Sequence, residues 1–282
     1  MRTPVLRAIL CVAALTLLAS TRPSLAATSP PGLNLRWDRC YGDAGVWNKN
    51  FACNTNSGTE TLVASFELAE DYATVSGLEG NIDLTSETTA LPAWWEFKSV
   101  GTCRTTSLGM GFTLPPGSAV CEDWSNGQAA GGIAAYVNAG FVGSLNSRRI
   151  RFAIAVPPSG LQDLLGGHEY FVARITINHA KTVGTGACGG CLTPVCIVFS
   201  GLIVDTPTTA LNTLLLLSRG ANYAGSQYAT WQNGYPLDIQ HDCDVFRAPS
   251  NCSGPTTRFS CVLATPTNSH GSTWGTVKAL YR

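Results

Sequence analysis

The sequence is poor in charge, in histidine and in long apolar runs. Charged residues make up 13% of its 282 residues, about half the share of an average soluble protein. A long disordered tail needs high charge and little hydrophobicity, and the 45% content of hydrophobic residues argues against one. The four histidines leave few candidates for a general base. Basic and acidic residues balance at 18 each, so we predict no nucleic-acid partner.

The one long apolar run lies at the N-terminus and has the three parts of an export signal. Arg2 and Arg7 precede the uncharged apolar residues 8–19, and a polar stretch with small residues at the cleavage positions ends at Ala26. The run is shorter than the roughly 20 residues of a membrane-spanning helix. We therefore predict a signal peptide over residues 1–26 with cleavage near Ala26. The mature chain would be secreted or extracytoplasmic, in the periplasm or at the cell surface, with no membrane span.

After this segment, apolar and polar residues alternate over short stretches, which is typical of β-strands. The clearest alternation covers residues 62–68, 149–156 and 169–179. Residues 196–204 are apolar almost throughout, as in a central strand. Further strands are predicted at residues 75–84, 93–98, 108–114, 133–141, 211–217 and 228–232.

One short helix is predicted at residues 160–165, where Ser159 can cap the start and two glycines follow the end. About ten strands and one short helix predict an all-β protein, an antiparallel β-sandwich of jelly-roll or cohesin-like type stapled by disulfides. The cohesin-like comparison is an analogy at the level of the fold. We place the sandwich domain at residues 27–262, and a linker with a C-terminal tail at residues 263–282.

Ten of the eleven cysteines follow the signal peptide, an even number in a compartment where disulfides persist. Proximity along the chain favours three local pairs, Cys40–Cys53, Cys103–Cys121 and Cys252–Cys261. Four cysteines are left over: Cys188, Cys191, Cys196 and Cys243. We expect Cys243 to form a disulfide with one of the other three, and the sequence does not decide which one.

The cysteine-rich loop has two alternative interpretations. Cys188, Cys191 and Cys196 could bind zinc with His179 or Cys243 as the fourth ligand, because the first two have a spacing that suits metal. The first two could also form a redox-active pair. We favour disulfides and predict no metal and no cofactor.

Tryptophan is the residue type that best suggests a ligand. Sugars stack their apolar faces on flat aromatic rings, and large aromatics otherwise cover sheet edges and loop bases. Trp94 is the first candidate, because Trp95 and Phe97 occupy the opposite face of the strand predicted there. Trp124 and Trp231 stand among polar residues and are predicted to join it.

The tail places Trp274, Val277 and Tyr281 on one face of a short helix, behind a linker rich in Ser, Thr and Pro. Ten residues hold a helix poorly without a partner. We interpret this face as a sorting or attachment signal that another protein receives. The alternative is that it docks on its own domain.

Five segments resemble those of an uncharacterised family of exported bacterial β-rich proteins with a C-terminal tail of this type. The resemblance implies a bacterial, extracytoplasmic setting and carries no known activity. The segments are Leu35-Arg36-Trp37-Asp38-Arg39-Cys40, Phe51-Ala52-Cys53-Asn54-Thr55-Asn56, Leu91-Pro92-Ala93-Trp94-Trp95, Lys181-Thr182-Val183-Gly184-Thr185-Gly186-Ala187-Cys188 and Thr273-Trp274-Gly275 with Tyr281-Arg282.

The predicted function is that of a secreted or surface-associated structural or binding protein, with an extracellular protein or a glycan as partner. A carbohydrate-binding module that uses exposed tryptophans is the alternative. The second alternative is an extracellular hydrolase, for which His241 beside Asp242 and Asp244 is the most chemically loaded histidine. The same acidic cluster could instead bind a divalent cation or form a solvated turn. We assign no catalytic residue and expect no enzymatic activity.

Overall fold

The computed structural model describes residues 31–138, 145–207, 214–217, 226–238 and 260–263. Within these ranges the regular secondary structure is almost entirely β-strand, which confirms the predicted all-β class. Several predictions fall on residues outside the described ones: the signal peptide, His241 and its acidic cluster, Cys243, Cys252 and the tail residues Trp274, Val277 and Tyr281.

Sixteen strands and two short 3-10 turns, η1 (Ala93–Trp95) and η2 (Pro158–Gly160), are described. The strands in chain order are β1 (Gly32–Trp37), β2 (Asn48–Lys49), β3 (Thr59–Glu67), β4 (Tyr72–Val75), β5 (Gly77–Ser86), β6 (Leu108–Gly111), β7 (Glu122–Asp123), β8 (Ala130–Asn138), β9 (Ser147–Ala155), β10 (Gln162–Leu164), β11 (Glu169–Asn178), β12 (Val195–Asp205), β13 (Leu214–Leu217), β14 (Tyr228–Trp231), β15 (Gly234–Asp238) and β16 (Ser260–Leu263).

Two large sheets carry most of these strands. The first sheet has the order β1-β3-β11-β6, with β7 also paired to β11, and the second has the order β2-β14-β12-β5-β9-β8, with β13 also paired to β12. The pairs are antiparallel except β7 with β11 and β2 with β14. Buried side chains of both sheets belong to one hydrophobic cluster, which is the packing of a β-sandwich.

Alternation along the strands decides which side chains enter this cluster. On β3, Leu62, Ala64 and Phe66 are buried in it, and on β5 the same holds for Ile82 and Leu84. The predicted strands at residues 62–68, 149–156, 169–179 and 196–204 correspond to β3, β9, β11 and β12, with bounds that differ by at most three residues. The first three predictions are confirmed because the residues that enter the hydrophobic cluster recur with a two-residue period. The fourth is confirmed because β12 is buried on both faces.

Two local predictions are wrong. Residues 93–98 form no strand, since Ala93–Trp95 is the 3-10 turn η1 and both of its tryptophans are buried. Residues 160–165 form no helix, because Pro157 and Pro158 begin the turn η2 and Gln162–Leu164 then pairs with β4. A helix of six residues has too few hydrogen bonds to form against such a competing strand pairing.

Three disulfides join distant parts of the chain, and the predicted local pairs Cys40–Cys53 and Cys103–Cys121 are wrong. The observed pairs are Cys40–Cys121, Cys53–Cys191 and Cys103–Cys188, with sequence separations of 81, 138 and 85 residues. Cys196 is disulfide-bonded as well. Loops that are far apart in sequence meet at the ends of a sandwich, so proximity along the chain is a poor guide to pairing.

The same disulfides show that two alternatives for the cysteine-rich loop, a zinc site and a redox-active Cys188–Cys191 pair, are wrong. Cys188 and Cys191 are each bonded to a different loop and not to one another. Both ring nitrogens of His179 are engaged, Nδ1 with the Ser57 carbonyl at 2.7 Å and Nε2 with Glu60 at 3.1 Å.

Disulfides persist in oxidising compartments, which favours an extracytoplasmic setting. Among the described residues, no helix has the length and apolar character needed to cross a bilayer.

Hydrogen bonds between β1 and the segment that leads into β14 join the two sheets along one side. The Leu35 amide donates to the Ser226 carbonyl at 2.7 Å, and the Trp37 indole donates to the Thr230 carbonyl at 2.8 Å. The buried Arg36 guanidinium donates to the carbonyls of Ser226 and Tyr228 at 3.1 and 2.9 Å. Burial lowers the pKa of Arg36, and its Nη1 group makes both of these bonds. We call this row of bonds the seam.

Candidate functional site

The three tryptophans predicted to bind a ligand are buried. Trp94 and Trp231 have no exposed surface, and Trp124 is 2% exposed, so the predicted exposed platform of these rings is wrong. Trp94 stacks on Trp231 with ring centroids 5.3 Å apart, and Trp95 meets both rings edge-on. The sequence pattern failed here because the alternation assumed for residues 93–98 belongs to a strand, and the turn η1 sends both neighbouring rings inward.

A buried cation closes this aromatic cluster. The Arg104 guanidinium lies 3.6 Å from the centroid of the Trp94 ring. It donates to the carbonyls of Trp94 at 2.7 Å and Ala180 at 3.0 Å, and also to that of Asn178. Burial lowers the pKa of Arg104 to about 9, so the side chain is charged at neutral pH. Its donors are used for structure, and it offers nothing to a ligand.

Trp47 is the exposed tryptophan of the described residues. It is 46% exposed, as is its neighbour Val46, whereas the other five described tryptophans are buried. Trp47 lies directly before β2, which is the outermost strand of the second sheet beside β14. A half-exposed indole at a sheet edge stands out in a domain that buries its other described tryptophans.

The backbone around Trp47 is held on two sides. The amides and carbonyls of Trp37 and Val46 exchange hydrogen bonds at 2.8 and 3.2 Å, and the Thr230 amide donates to the Trp47 carbonyl at 2.7 Å. Gly45 makes this approach possible, because a Cβ there would lie 2.2 Å from the Arg39 carbonyl oxygen. The indole is therefore presented by a fixed stretch of chain.

Three asparagine side chains form a hydrogen-bonded cluster beside this stretch. The Asn48 amide donates to Asn50 at 3.2 Å and to Asn233 at 2.9 Å, and the Asn50 amide donates to Asn233 at 3.2 Å. The Thr230 hydroxyl in turn donates to Asn48 at 2.9 Å. These bonds and the Asn233 main-chain amide, which donates to Asn48 at 3.0 Å, use every position of Asn48, whereas Asn50 and Asn233 keep donors and Asn50 keeps an acceptor position.

Lys49, which lies between Asn48 and Asn50 in the sequence, forms an ion-pair network with two acids. The Lys49 ammonium contacts Asp38 at 2.8 Å and Glu60 at 2.9 Å. Burial works against the charged ammonium, but hydrogen bonds to Asp38 and Glu60 outweigh it and raise the pKa of Lys49. We call Trp47, the three asparagines, Lys49 and its two acids the Trp47 edge.

Sequence reasoning missed Trp47, although the sequence contained the signal. Residues 45–50 read Gly-Val-Trp-Asn-Lys-Asn, and a tryptophan among asparagines was the argument used for Trp124 and Trp231. Asn233 is the member of the edge that the sequence could not supply. Its contact with Asn48 spans 185 positions of the chain and depends on the parallel pairing of β2 with β14.

A second group of charged residues, the carboxylate pair Glu67 and Glu169, is buried instead of exposed. The two residues stand opposite one another on β3 and β11 and are 3% and 4% exposed. Glu169 accepts hydrogen bonds from the Ser65 hydroxyl and from the amides of Tyr41 and Gly42, the last two at 3.0 and 2.7 Å. These bonds fix the loop that carries Cys40, so we assign the pair a structural role.

Burial makes this pair sensitive to pH. Burial raises the pKa of Glu169 against its hydrogen bonds, and burial together with the charge of Glu169 raises the pKa of Glu67, with His168 acting in the opposite sense. A carboxyl with a raised pKa in the folded state binds its proton more tightly there than in the unfolded chain. The stability from this pair is therefore full below the ordinary glutamate pKa and falls as pH rises through the folded-state values.

Glu67→Gln should reduce this loss of stability. We expect the variant to raise the free energy of unfolding at pH 7 by about 0.5–1 kcal/mol, the range for a cross-strand charge pair, and to have little effect near pH 4. Urea unfolding at both pH values measures this. Glu122→Gln is the control, since Glu122 is exposed and pairs with His168. An equal effect of Glu67→Gln at both pH values would contradict the argument.

No protein-family model matches the chain, and neither the curated proteins nor the solved structures contain a match to it. Function must therefore be inferred from the geometry of the Trp47 edge and of the rest of the described surface.

Proposed function

We propose that this chain is an exported binding protein and that the Trp47 edge binds carbohydrate. Trp47 carries the proposal, because its indole is half exposed while its own backbone bonds to β14 and that of the neighbouring Val46 bonds to β1. The proposal keeps the expected relationship to an exported bacterial family, with residues 273–282 as an attachment or sorting segment. The disulfides support export, since they persist where the environment is oxidising.

The chemistry of the edge suits a sugar. An indole face can stack on the apolar C–H face of a pyranose ring. The tryptophan side chain is large and rigid, so it loses little conformational entropy when it binds. Hydroxyls at the rim of a sugar need both donors and acceptors. The side-chain amides of Asn50 and Asn233 keep free donors, Asn50 keeps an acceptor position, and the half-exposed Asp38 carboxylate provides a further acceptor.

The edge is also preorganised. The asparagine amides are fixed by their mutual hydrogen bonds, and Lys49 holds both acids at 2.8 and 2.9 Å. Side chains that are ordered before binding lose less entropy when a ligand arrives. A weak polar ligand such as a glycan can then gain affinity from few contacts.

Trp47→Ala tests the proposal. The labelled protein is first screened on a glycan array, and the best glycan is then titrated by calorimetry. We expect Trp47→Ala to weaken binding at least tenfold, which corresponds to the roughly 1.4 kcal/mol or more that loss of a stacked ring removes. Trp47→Phe keeps a flat ring and should retain most of the affinity.

Val46→Ala is the matched control, because Val46 is as exposed as Trp47 and has no flat ring. It should bind like the wild type. Neither variant should change the thermal midpoint, since exposed side chains contribute little to stability. Glycan binding that survives Trp47→Ala would refute the assignment of the site, and an array without any bound glycan would refute the ligand class.

A further inference from the structure

A groove on the second sheet, distant in sequence from the Trp47 edge, carries polar groups that the fold does not use. It lies across β5, β9 and β8 and has a volume of about 390 Å³, within the usual range for sites that bind small ligands. Its lining residues are Gly80, Phe152 and three alanines, Ala134, Ala135 and Ala153, together with Glu79, Asn81 and Arg151. The lining is thus apolar apart from one acid, one amide and one guanidinium.

Two arginines of β9 have different partners across the strand pair. Arg149 stands opposite Asp83 and binds it with two hydrogen bonds of 2.6 and 2.7 Å. Arg151, two positions further on the same face, stands opposite Asn81. An amide cannot neutralise a guanidinium, and Asp83 is already occupied. Among the described residues Arg151 has no ion-pair partner, and the groove places its charge beside Asn81.

Asn81 is the second observation that points to a ligand. It is 1% exposed, and neither its amide nitrogen nor its amide oxygen has a hydrogen-bond partner among the described residues. A buried amide without partners costs about 1–3 kcal/mol for each group left unsatisfied. Both atoms are closed to solvent and Asn81 belongs to the lining of the groove, so a ligand that reaches them and offers one acceptor and one donor would satisfy both.

Glu79 completes the set with an exposed carboxylate two residues before Asn81 on β5. The groove therefore presents a negative group, an amide with a free donor and a free acceptor, and a positive group. A short peptide carries the complementary groups, namely an ammonium, a peptide bond and a carboxylate. Arginine binds carboxylates through two parallel hydrogen bonds, which adds geometric selectivity.

We propose that this groove binds a short peptide with free ends. Arg151 binds the C-terminal carboxylate, Asn81 pairs with a main-chain N–H and C=O, and Glu79 binds the α-ammonium group. The alanines contribute little depth, so the main chain and not the side chains of the peptide is recognised. The site is separate from the Trp47 edge and does not depend on carbohydrate binding.

Calorimetry of the mature chain with tri-L-alanine as the probe tests the proposal. We expect saturable binding that weakens at least tenfold when the probe is tri-L-alanine amide, which lacks the carboxylate, or N-acetyl-tri-L-alanine, which lacks the ammonium. Arg151→Gln should weaken binding of the free tripeptide at least tenfold and leave the already weak binding of the amide unchanged. Glu79→Gln should show the same pattern with the N-acetyl probe.

Arg39→Gln serves as the matched control, because Arg39 is an exposed arginine outside the groove, and it should leave the affinity unchanged. Trp47→Ala should also bind tri-L-alanine like the wild type, which separates the two sites. Arg151 and Glu79 are exposed, so their variants fold. The proposal is overturned if tri-L-alanine does not bind at millimolar concentration, or if Arg151→Gln weakens the free tripeptide and its amide equally.

Discussion

Replacing Arg104 by methionine is expected to lower the free energy of unfolding by about 3–5 kcal/mol. The guanidinium donates to three main-chain carbonyls, of which the bond to Trp94 is buried and the other two are part-buried. A buried acceptor that loses its donor costs about 1–3 kcal/mol, and a part-buried acceptor can turn to water and costs less. The variant also loses the cation that faces the Trp94 ring at 3.6 Å, an interaction of about 1–2 kcal/mol in a desolvated site. Methionine preserves much of the volume, so the loss reports on polar contacts and not on a cavity.

Urea unfolding of the variant measures this loss. Arg104→Lys keeps the charge but has one ammonium in place of a planar group, so it should lie between methionine and the wild type. Arg39→Met is the surface control and should stay within about 0.5 kcal/mol of the wild type. If Arg104→Met were as stable as Arg39→Met, the assigned role of the guanidinium would be wrong.

Loss of the Cys53–Cys191 disulfide should destabilise the protein by a similar amount. The bond closes a loop of 138 residues, and the chain-entropy argument assigns about 4–5 kcal/mol to a loop of that size. Cys53→Ser with Cys191→Ser removes it without leaving a free thiol. We expect the double variant to unfold at a markedly lower urea concentration than the wild type.

As a control, the disulfides of the wild type and of the double variant are reduced without any further change in sequence. In dithiothreitol, the wild type should lose more stability than the double variant, because it has one more bond to lose. Mass spectrometry of proteolysed native protein should identify a peptide pair that joins Cys53 to Cys191. A pair that joins Cys40 to Cys53 would show instead that the local pairing expected from the sequence was correct.

The strands that could be predicted from the sequence are those whose alternate residues enter the hydrophobic cluster, or whose residues are buried on both faces. On β9, buried residues alternate with less buried ones over most of the strand, and on β3 Leu62, Ala64 and Phe66 enter the cluster while the residues between them do not. The apolar run of β12 was also predicted as a central strand, and β12 lies between β14 and β5. In these elements local pattern and tertiary environment agree.

The pairing of cysteines could not be predicted because it depends on which loops share an end of the sandwich. Cys103 follows η1 and Cys188 precedes β12, and nothing in either neighbourhood indicates that they meet. The prediction of which tryptophans are exposed was wrong for the same reason. Trp231 is buried by Trp37, Phe51 and Trp94, which come from three other parts of the chain.

The two candidate sites differ in how far the sequence reveals them. Trp47 and its flanking asparagines are adjacent in sequence, so composition alone could have indicated the edge. The groove becomes visible only through register, since Arg151 matters because it faces Asn81 while Arg149 faces Asp83. Two arginines separated by one residue are indistinguishable until their partners on β5 are known.

The hydrogen bonds along β1, including those of the seam, also determine whether the extended strand of another chain can add to the edge of the first sheet. An outermost β-strand normally offers free amides and carbonyls on which a foreign strand can assemble, the first step toward aggregates and swapped dimers. On β1 these groups are already used, because the amides of Leu35 and Trp37 and the carbonyl of Leu33 bond to Ser226 and Val46. That flank of the molecule is thereby protected against the addition of a foreign strand.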